Sequence, residues 1–227
     1  MCNKNRCVVA VDGPAGSGKS SVCRRVSIET GAKYIDSGAV YRAITWYFIN
    51  KYGDDDLLAV DIPGQLNNIN IEQIFEKNGD VKTFLNDKDV SKVIRDERIA
   101  EKISLFSDNR EVRDYVTSML RKWALENSII MDGRDIGTVV FPDADLKVYL
   151  DASVDVRAAR RVKEYAELGK NVDENSIRNQ IIKRDFKDEN REFGPLKKCS
   201  DSVYLDTSNM AFNDVIEKMV ELIKSSK

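Results

Sequence analysis

The residues Gly13-Pro14-Ala15-Gly16-Ser17-Gly18-Lys19-Ser20 carry the full G-x-x-x-x-G-K-[ST] spacing of a phosphate-binding loop. The loop follows a short apolar run, Cys7–Val11, which breaks at Asp12-Gly13-Pro14. It precedes a helical stretch from about Lys19 to Glu29, with Gly31 placed as a C-cap. Glycines at these positions let backbone N–H groups turn inward around a phosphate, and the start of a helix adds positive dipole character. Lys19 can reach the outer phosphates of a nucleoside triphosphate, and the Ser20 hydroxyl can ligate Mg²⁺. The loop therefore points to a nucleotide site, but it does not say where the phosphate goes.

A second set of residues bears on that question. Asp36-Ser37-Gly38-Ala39-Val40-Tyr41-Arg42 and Asp132-Gly133-Arg134-Asp135-Ile136-Gly137 each follow a short apolar run. Both strand ends face the edge of the sheet where the phosphate loop lies, the edge at which open α/β sheets bind ligands. Asp and Arg at two such ends suggest a second anionic ligand, and Asp132 stands where a carboxylate near Mg²⁺ is expected. Arg184, Asp188 and Arg191 are spaced i, i+4, i+7, so one helix face would present all three. A regulatory GTPase would use the same loop as a switch, and Asp61-Ile62-Pro63-Gly64 fits its D-x-x-G pattern. However, Asn50-Lys51-Tyr52-Gly53 lacks the Asp of the guanine-reading motif and stands before it, so both pieces are assigned to loop composition.

These residues need a scaffold. Short apolar strands are expected at Cys7–Val11, Tyr34–Asp36, Ile129–Met131, Leu146–Leu150 and Val203–Leu205. Helices are expected at Ala39–Asn50, Val112–Leu125, Val154–Leu168, Glu174–Asn190 and Met210–Ile223. Their alternation predicts a parallel sheet covered on both faces. The stretch from Asp54-Asp55-Asp56 to about Asp108 breaks that alternation. It holds a hairpin signal at Val81–Leu85 with Asn86-Asp87, then helical spacing from Ser91 to Phe106. The length of 227 residues suits one core with an insertion. With 36 basic and 38 acidic residues the net charge is −2, which argues against a general nucleic-acid coat. The absence of histidine excludes any His triad, His metal site or His base. The four cysteines (Cys2, Cys7, Cys23, Cys199) contain no Cys-x-x-Cys pair, and the polar start Met1–Arg6 has no targeting signal, so a cytoplasmic protein with reduced thiols and no membrane span is expected.

Several long motifs now combine. They are the loop at 13–20, Asp-Ser-Gly-Ala-Val-Tyr-Arg at 36–42, and Met-Asp-Gly-Arg-Asp-Ile-Gly-Thr-Val-Val-Phe-Pro-Asp-Ala at 131–144. Arg184 to Arg191 with Pro195-Leu196, and Tyr204-Leu205-Asp206-Thr207-Ser208, complete the set. In these the chain resembles the cytidylate kinases of the bacterial type, from about Val8 to Ser208 and least clearly around residues 54–80. The resemblance implies an α/β P-loop kinase fold of three layers, with a central parallel five-stranded sheet, an inserted acceptor-binding subdomain and a helical lid. The single domain would comprise a core at about 1–53, 109–152 and 196–227, an insertion at about 54–108 and a lid at about 153–195.

The same resemblance implies transfer of the ATP γ-phosphate to CMP or dCMP, with ATP and Mg²⁺ bound and a monomeric chain. Gly13, Pro14, Ala15, Gly16, Ser17, Gly18, Lys19, Ser20, Ser21 and Arg157 would bind ATP, with Ser20 and Asp132 at the metal. Ser37, Arg42 and Arg134 would hold the acceptor phosphate, with Tyr41 packed beside them. Ser104, Arg113, Asp135 and Arg191 would read the base, and Arg184 with Asp188 the sugar. Lys19, Arg134, Arg160 and Arg161 would act on the transferring group. Ser21 stands where the family often has Thr. Kinases for another small acceptor such as UMP, and a nucleotide-dependent switch without turnover, are the alternatives.

Overall fold

A computed structural model describes residues 6–53, 57, 60–76 and 78–226. The chain order begins β1 (Val8–Asp12), α1 (Lys19–Thr30), β2 (Lys33–Asp36), α2 (Ser37–Tyr52) and α3 (Ile62–Leu66). It continues β3 (Ile71–Phe75), β4 (Val81–Leu85), β5 (Lys88–Asp89), α4 (Glu97–Ser107) and α5 (Arg110–Trp123). The last part is β6 (Ile129–Gly133), β7 (Leu146–Asp151), α6 (Val154–Glu167), α7 (Glu174–Asn190), β8 (Val203–Asp206) and α8 (Phe212–Ser225). Five strands form one sheet in the order β2-β6-β1-β7-β8, and every pairing in it is parallel.

Alternation of side chains explains how the sheet buries both faces. Val9 and Val11 pack on one side with Tyr34, Ile130 and Val148, beneath α1 and α8. Ala10 packs on the other with Ile35, Ile129 and Met131, beneath α2 and α5. β1 and β6 are covered on both sides and have no polar alternation, which is why each reads as a continuous apolar run, whereas β7 alternates buried and half-buried residues and β8 at the edge is largely exposed. β1 lies in the middle of the sheet, so the loop that follows it opens at the centre of the carboxyl edge.

Three local outcomes have clear causes. The hairpin at Asn86-Asp87 forms, with φ of 46° and 64° at its two turn residues, the left-handed pair that suits a two-residue connection. The expected helix from Ser91 is divided: a 3₁₀ turn at Val93–Arg95 ends at Asp96, whose carboxylate accepts from Arg98 N at 2.9 Å and starts α4. Asp61 likewise caps α3 by accepting from Gly64 N at 3.3 Å, so the D-x-x-G sequence is a helix start. β3 and α3 have no counterpart among the expected elements. The Asp54-Asp55-Asp56 break and Cys2 lie outside the described residues. Among the described residues, no helix is long and apolar enough to cross a membrane.

Candidate functional site

The glycine-loop end of the site is built almost entirely from one stretch of chain. Gly13 leaves β1 so close to β7 that a Cβ there would stand 2.1 Å from Leu150 O. α1 then begins at Lys19 with Gly18 in the left-handed region, no side-chain cap and no acidic residue in its first turn. α2, α4, α5, α6 and α7, by contrast, each begin with a side chain accepting from the backbone. The N–H groups of α1 are thus left to an anion. Lys19 is buried and donates to Pro14 O at 2.6 Å and Ser17 Oγ at 3.1 Å. Burial first, then the nearby Arg134 guanidinium, lowers its ammonium from 10.5 to about 7. Ser20 Oγ donates to Asp132 Oδ2 at 2.8 Å, and Tyr34 donates to the other carboxylate oxygen at 2.8 Å. Burial, with Asp36 nearby, raises the Asp132 carboxyl above its usual value.

The facing wall draws on distant segments. Asp36 closes β2 and caps α2, accepting from Ala39 N at 2.8 Å while Arg42 Nη2 donates to both its oxygens at 3.1 and 3.3 Å. Ser37 donates to Asp132 O at 2.5 Å. At the end of β6, Arg134 Nε donates to Asp188 Oδ2 at 2.7 Å. Burial would raise the Asp188 carboxyl, but Arg134 holds it below its usual value. Asp135 is buried and pairs with Arg113, and Arg191 Nη2 stands 3.5 Å from its other oxygen. Gly194, at φ 57°, closes over that pair. A Cβ there would lie 2.2 Å from Arg113 and 2.3 Å from Asp135. Asp12, buried at the end of β1, accepts from Ile136 N at 2.8 Å and Gly137 N at 2.7 Å, which pins the π-helical turn after Asp135. Burial pushes its carboxyl up to about 6.

One cleft of about 1570 Å³ joins the two ends. The loop residues Ala15 to Ser21, and Ser37, Tyr41, Arg42, Ser104, Asp132, Arg134, Asp135, Arg160, Arg161, Arg184, Asp188 and Arg191 all line it. Gly13, Pro14, Arg113 and Arg157 stand behind the lining. Arg113 backs Asp135 and lies over the Tyr41 ring at 5.7 Å. Burial raises the Tyr41 hydroxyl to about 12. Arg157 is buried beneath the loop, donating to Ala15 O at 2.9 Å, Ala152 O at 2.8 Å and Asp185 Oδ2 at 2.6 Å. Asp185 Oδ1 also accepts from Ala15 N at 3.3 Å, a direct tie from α7 to the loop. Arg160 donates to Ser17 O at 3.2 Å and Thr207 O at 2.8 Å, and Arg161 lies over the Tyr165 ring at 5.6 Å. Arg184 opens into the cleft. Crowding by protein atoms, then by the cations of Arg134, Arg42 and Arg161, lowers it to about 10.

The expected single helix face is corrected at one point. α7 ends at Asn190, and Arg191 is an extended residue (φ −67°, ψ 148°) whose Nε donates to Gly194 O at 2.5 Å. Leaving the helix is what lets it reach Asp135. Thr207, quoted from the sequence only within the motif at 204–208 and given no role there, also lines the cleft, as does Arg95, which was not singled out from the sequence. Arg95 lay in a stretch read only for its apolar spacing, although a basic residue at the end of a helical turn was a usable signal.

The family model described as cytidylate kinase matches residues 9–225. The chain is 39% identical over 221 residues to the cytidylate kinase of Clostridium tetani, covering 97% of this chain and 95% of that one. It is 41% identical over 221 residues to the cytidylate kinase of Fusobacterium nucleatum, covering 96% and 98%. Among solved structures, a gluconokinase from Sinorhizobium meliloti shares the fold, with a TM-score of 0.51 at 12% identity over 96% of this chain and 92% of that one. A phosphate-binding loop and an arginine-lined strand edge on a five-stranded parallel sheet thus occur in a sequence that the family model matches almost end to end, and the chain belongs to the cytidylate kinase family.

Proposed function

We propose that the protein transfers the γ-phosphate of ATP to CMP or dCMP, giving ADP and CDP or dCDP. The observation that carries this reading is the single cleft running from the glycine loop to the buried Asp135–Arg113 pair. Family membership supports it, as do the cytidylate kinases of Clostridium tetani and Fusobacterium nucleatum described above.

Donor and acceptor both bring phosphates, and the chain has a net charge of −2, so cations must be concentrated locally. Lys19, Arg42, Arg134, Arg160, Arg161 and Arg184 meet in the cleft. An acceptor phosphate oxygen attacks the γ-phosphorus as the bond to the β–γ bridging oxygen breaks. No nucleophilic side chain is needed, only alignment and charge neutralisation. Lys19 leaves Pro14 O and Ser17 Oγ for the outer phosphates, which favour its ammonium form. Ser37, Arg42 and Arg134 hold the acceptor phosphate, with Tyr41 beside them. Arg184 and Asp188 hold the sugar, and Ser104, Asp135 and Arg191 read the base, with Arg113 holding Asp135 from behind the cleft lining rather than touching the base. Arg157 supports the loop from beneath.

Ser20 and Asp132 present a hydroxyl and a carboxylate oxygen 2.8 Å apart at the loop, a hard oxygen pair suited to Mg²⁺. Among the described residues no group of three or more acidic, Cys or His side chains could form a full cage, as suits an ion that keeps waters and phosphate oxygens. Bound there, Mg²⁺ would neutralise charge on the phosphate chain.

We further take residues 54–108 as an acceptor-binding insertion and 153–195 as a lid. We take the enzyme to be a monomer, and a cytoplasmic enzyme is the reading that fits its substrates. ADP formation from ATP and Mg²⁺ with CMP, dCMP, UMP, AMP and GMP tests the assignment. CMP and dCMP should lead the panel; equal or greater turnover with a purine acceptor would overturn it.

A further inference from the structure

Gln73 lies at the middle of β3, in the small antiparallel sheet, and is not part of the cleft lining. Its carboxamide reaches the open edge of β2. Oε1 accepts from Asp36 N at 3.1 Å, and Nε2 donates to Asp36 O at 2.9 Å. β2 is an edge strand paired on its other side with β6, where Asp36 stands opposite Asp132. One side-chain amide therefore does for Asp36 what a further strand would do, supplying both an acceptor and a donor. Arg95, beyond the same sheet, adds a guanidinium 3.6 Å from the Asp36 carboxylate.

The choice of residue matters. Asp36 is the last residue of β2 and the cap of α2, and it carries the bidentate contact to Arg42. Ser37, the next residue, is tied to Asp132 O. A shift of the Asp36 backbone would move Ser37 and the Arg42 guanidinium together, while the glycine loop is anchored independently through β1, β7 and α7. We infer that Gln73 is a positioning residue for the acceptor-phosphate site, holding Ser37 and Arg42 in register from outside the cleft. This rests on the assignment of Ser37 and Arg42 to the acceptor phosphate.

Gln73 is half-buried, and methionine matches its length without either hydrogen-bonding atom. Gln73→Met should raise KM for CMP roughly five- to tenfold with KM for ATP unchanged, and the two lost hydrogen bonds should lower Tm slightly. Gln73→Glu keeps the acceptor for Asp36 N but sets a carboxylate oxygen against Asp36 O, so its KM for CMP should rise at least as far. A merely structural role would lower Tm and either leave both KM values unchanged or move them together, and that result overturns the inference. So does an unchanged KM for CMP in both variants when Arg42→Ala raises it. If Arg42→Ala leaves KM for CMP unchanged, the acceptor-site assignment itself fails and the inference falls with it.

Discussion

The two ends of the cleft are built differently. The donor end comes from one contiguous loop with its strand and helix, and its lysine is held by atoms two and five residues away. The acceptor wall joins β2, α4, α5, the end of β6 and the residues after α7. It is held by the buried ion pair Arg113–Asp135, whose partners lie 22 residues apart, and the half-buried pair Arg134–Asp188, whose partners lie 54 apart. A locally built site can lose its charged group and keep its fold. A wall made of such ion pairs cannot, because removing one partner leaves the other charged and unpaired.

Lys19→Met is the sharpest test of that contrast. Turnover should fall by roughly a hundred- to a thousandfold, as for loss of a preorganised cation at the transferring group. Stability should rise. The folded chain holds Lys19 near 7 against 10.5 when unfolded, so between these values it binds fewer protons than the unfolded chain. The cost of burying this ammonium is full below pH 7 and disappears as the pH rises toward 10.5. The gain in Tm on substitution should therefore be larger at about pH 6 than at about pH 10. A variant that unfolds more easily at low pH would break the comparison.

Asp135→Asn should do the reverse, harming fold and specificity together. Two buried arginines would face a neutral amide, at a cost of about 3–5 kcal/mol, read as a lower denaturant midpoint. Cytosine offers an amino group to the carboxylate where uracil offers a carbonyl oxygen, so the CMP:UMP ratio of kcat/KM should narrow about tenfold or more. An unchanged ratio would remove Asp135 from base reading.

α6 and α7, taken above as the lid, form a third and weaker region. α6 and α7 share a core of Ala158, Ile177 and Ile181, far smaller than the clusters beneath the sheet. Amide exchange from 153 to 195 should be faster than in β1 and β6, and should slow when both nucleotides bind. Asp185→Ala, which removes the tie to Ala15 N and Arg157, should speed exchange in α7 about tenfold in the nucleotide-free protein. Equal exchange with and without Asp185 would show that the tie does not hold the lid.

The smallest effect is a proton count. At about pH 8 a free Lys19 is mostly neutral, and a bound polyphosphate favours its ammonium form, so ATP binding should take up a fraction of a proton. Titration calorimetry in buffers of different ionisation enthalpy measures this, and Lys19→Met should abolish it.

The sequence by itself determined the features whose causes are local. The glycine loop at 13–20 and its strand–turn–helix setting, the Asn86-Asp87 hairpin, and α7 at Glu174–Asn190 follow from spacing, turn chemistry and apolar runs. The long motifs at 36–42 and 131–144 also marked both strand ends that form the acceptor wall. Only the tertiary structure decided what binds these pieces together. β3 went unseen because polar Gln73 occupies an inward position that its strand pattern needed to be apolar, and its partner Asp36 is 37 residues away. Arg191 appeared to belong to the α7 face until the helix ended one residue before it. Asp12 looked like a strand terminus, yet it accepts from backbone N–H groups 124 and 125 residues further along the chain. A buried polar side chain is placed by whichever partner the fold brings to it, and that partner leaves no periodic trace in the neighbouring sequence.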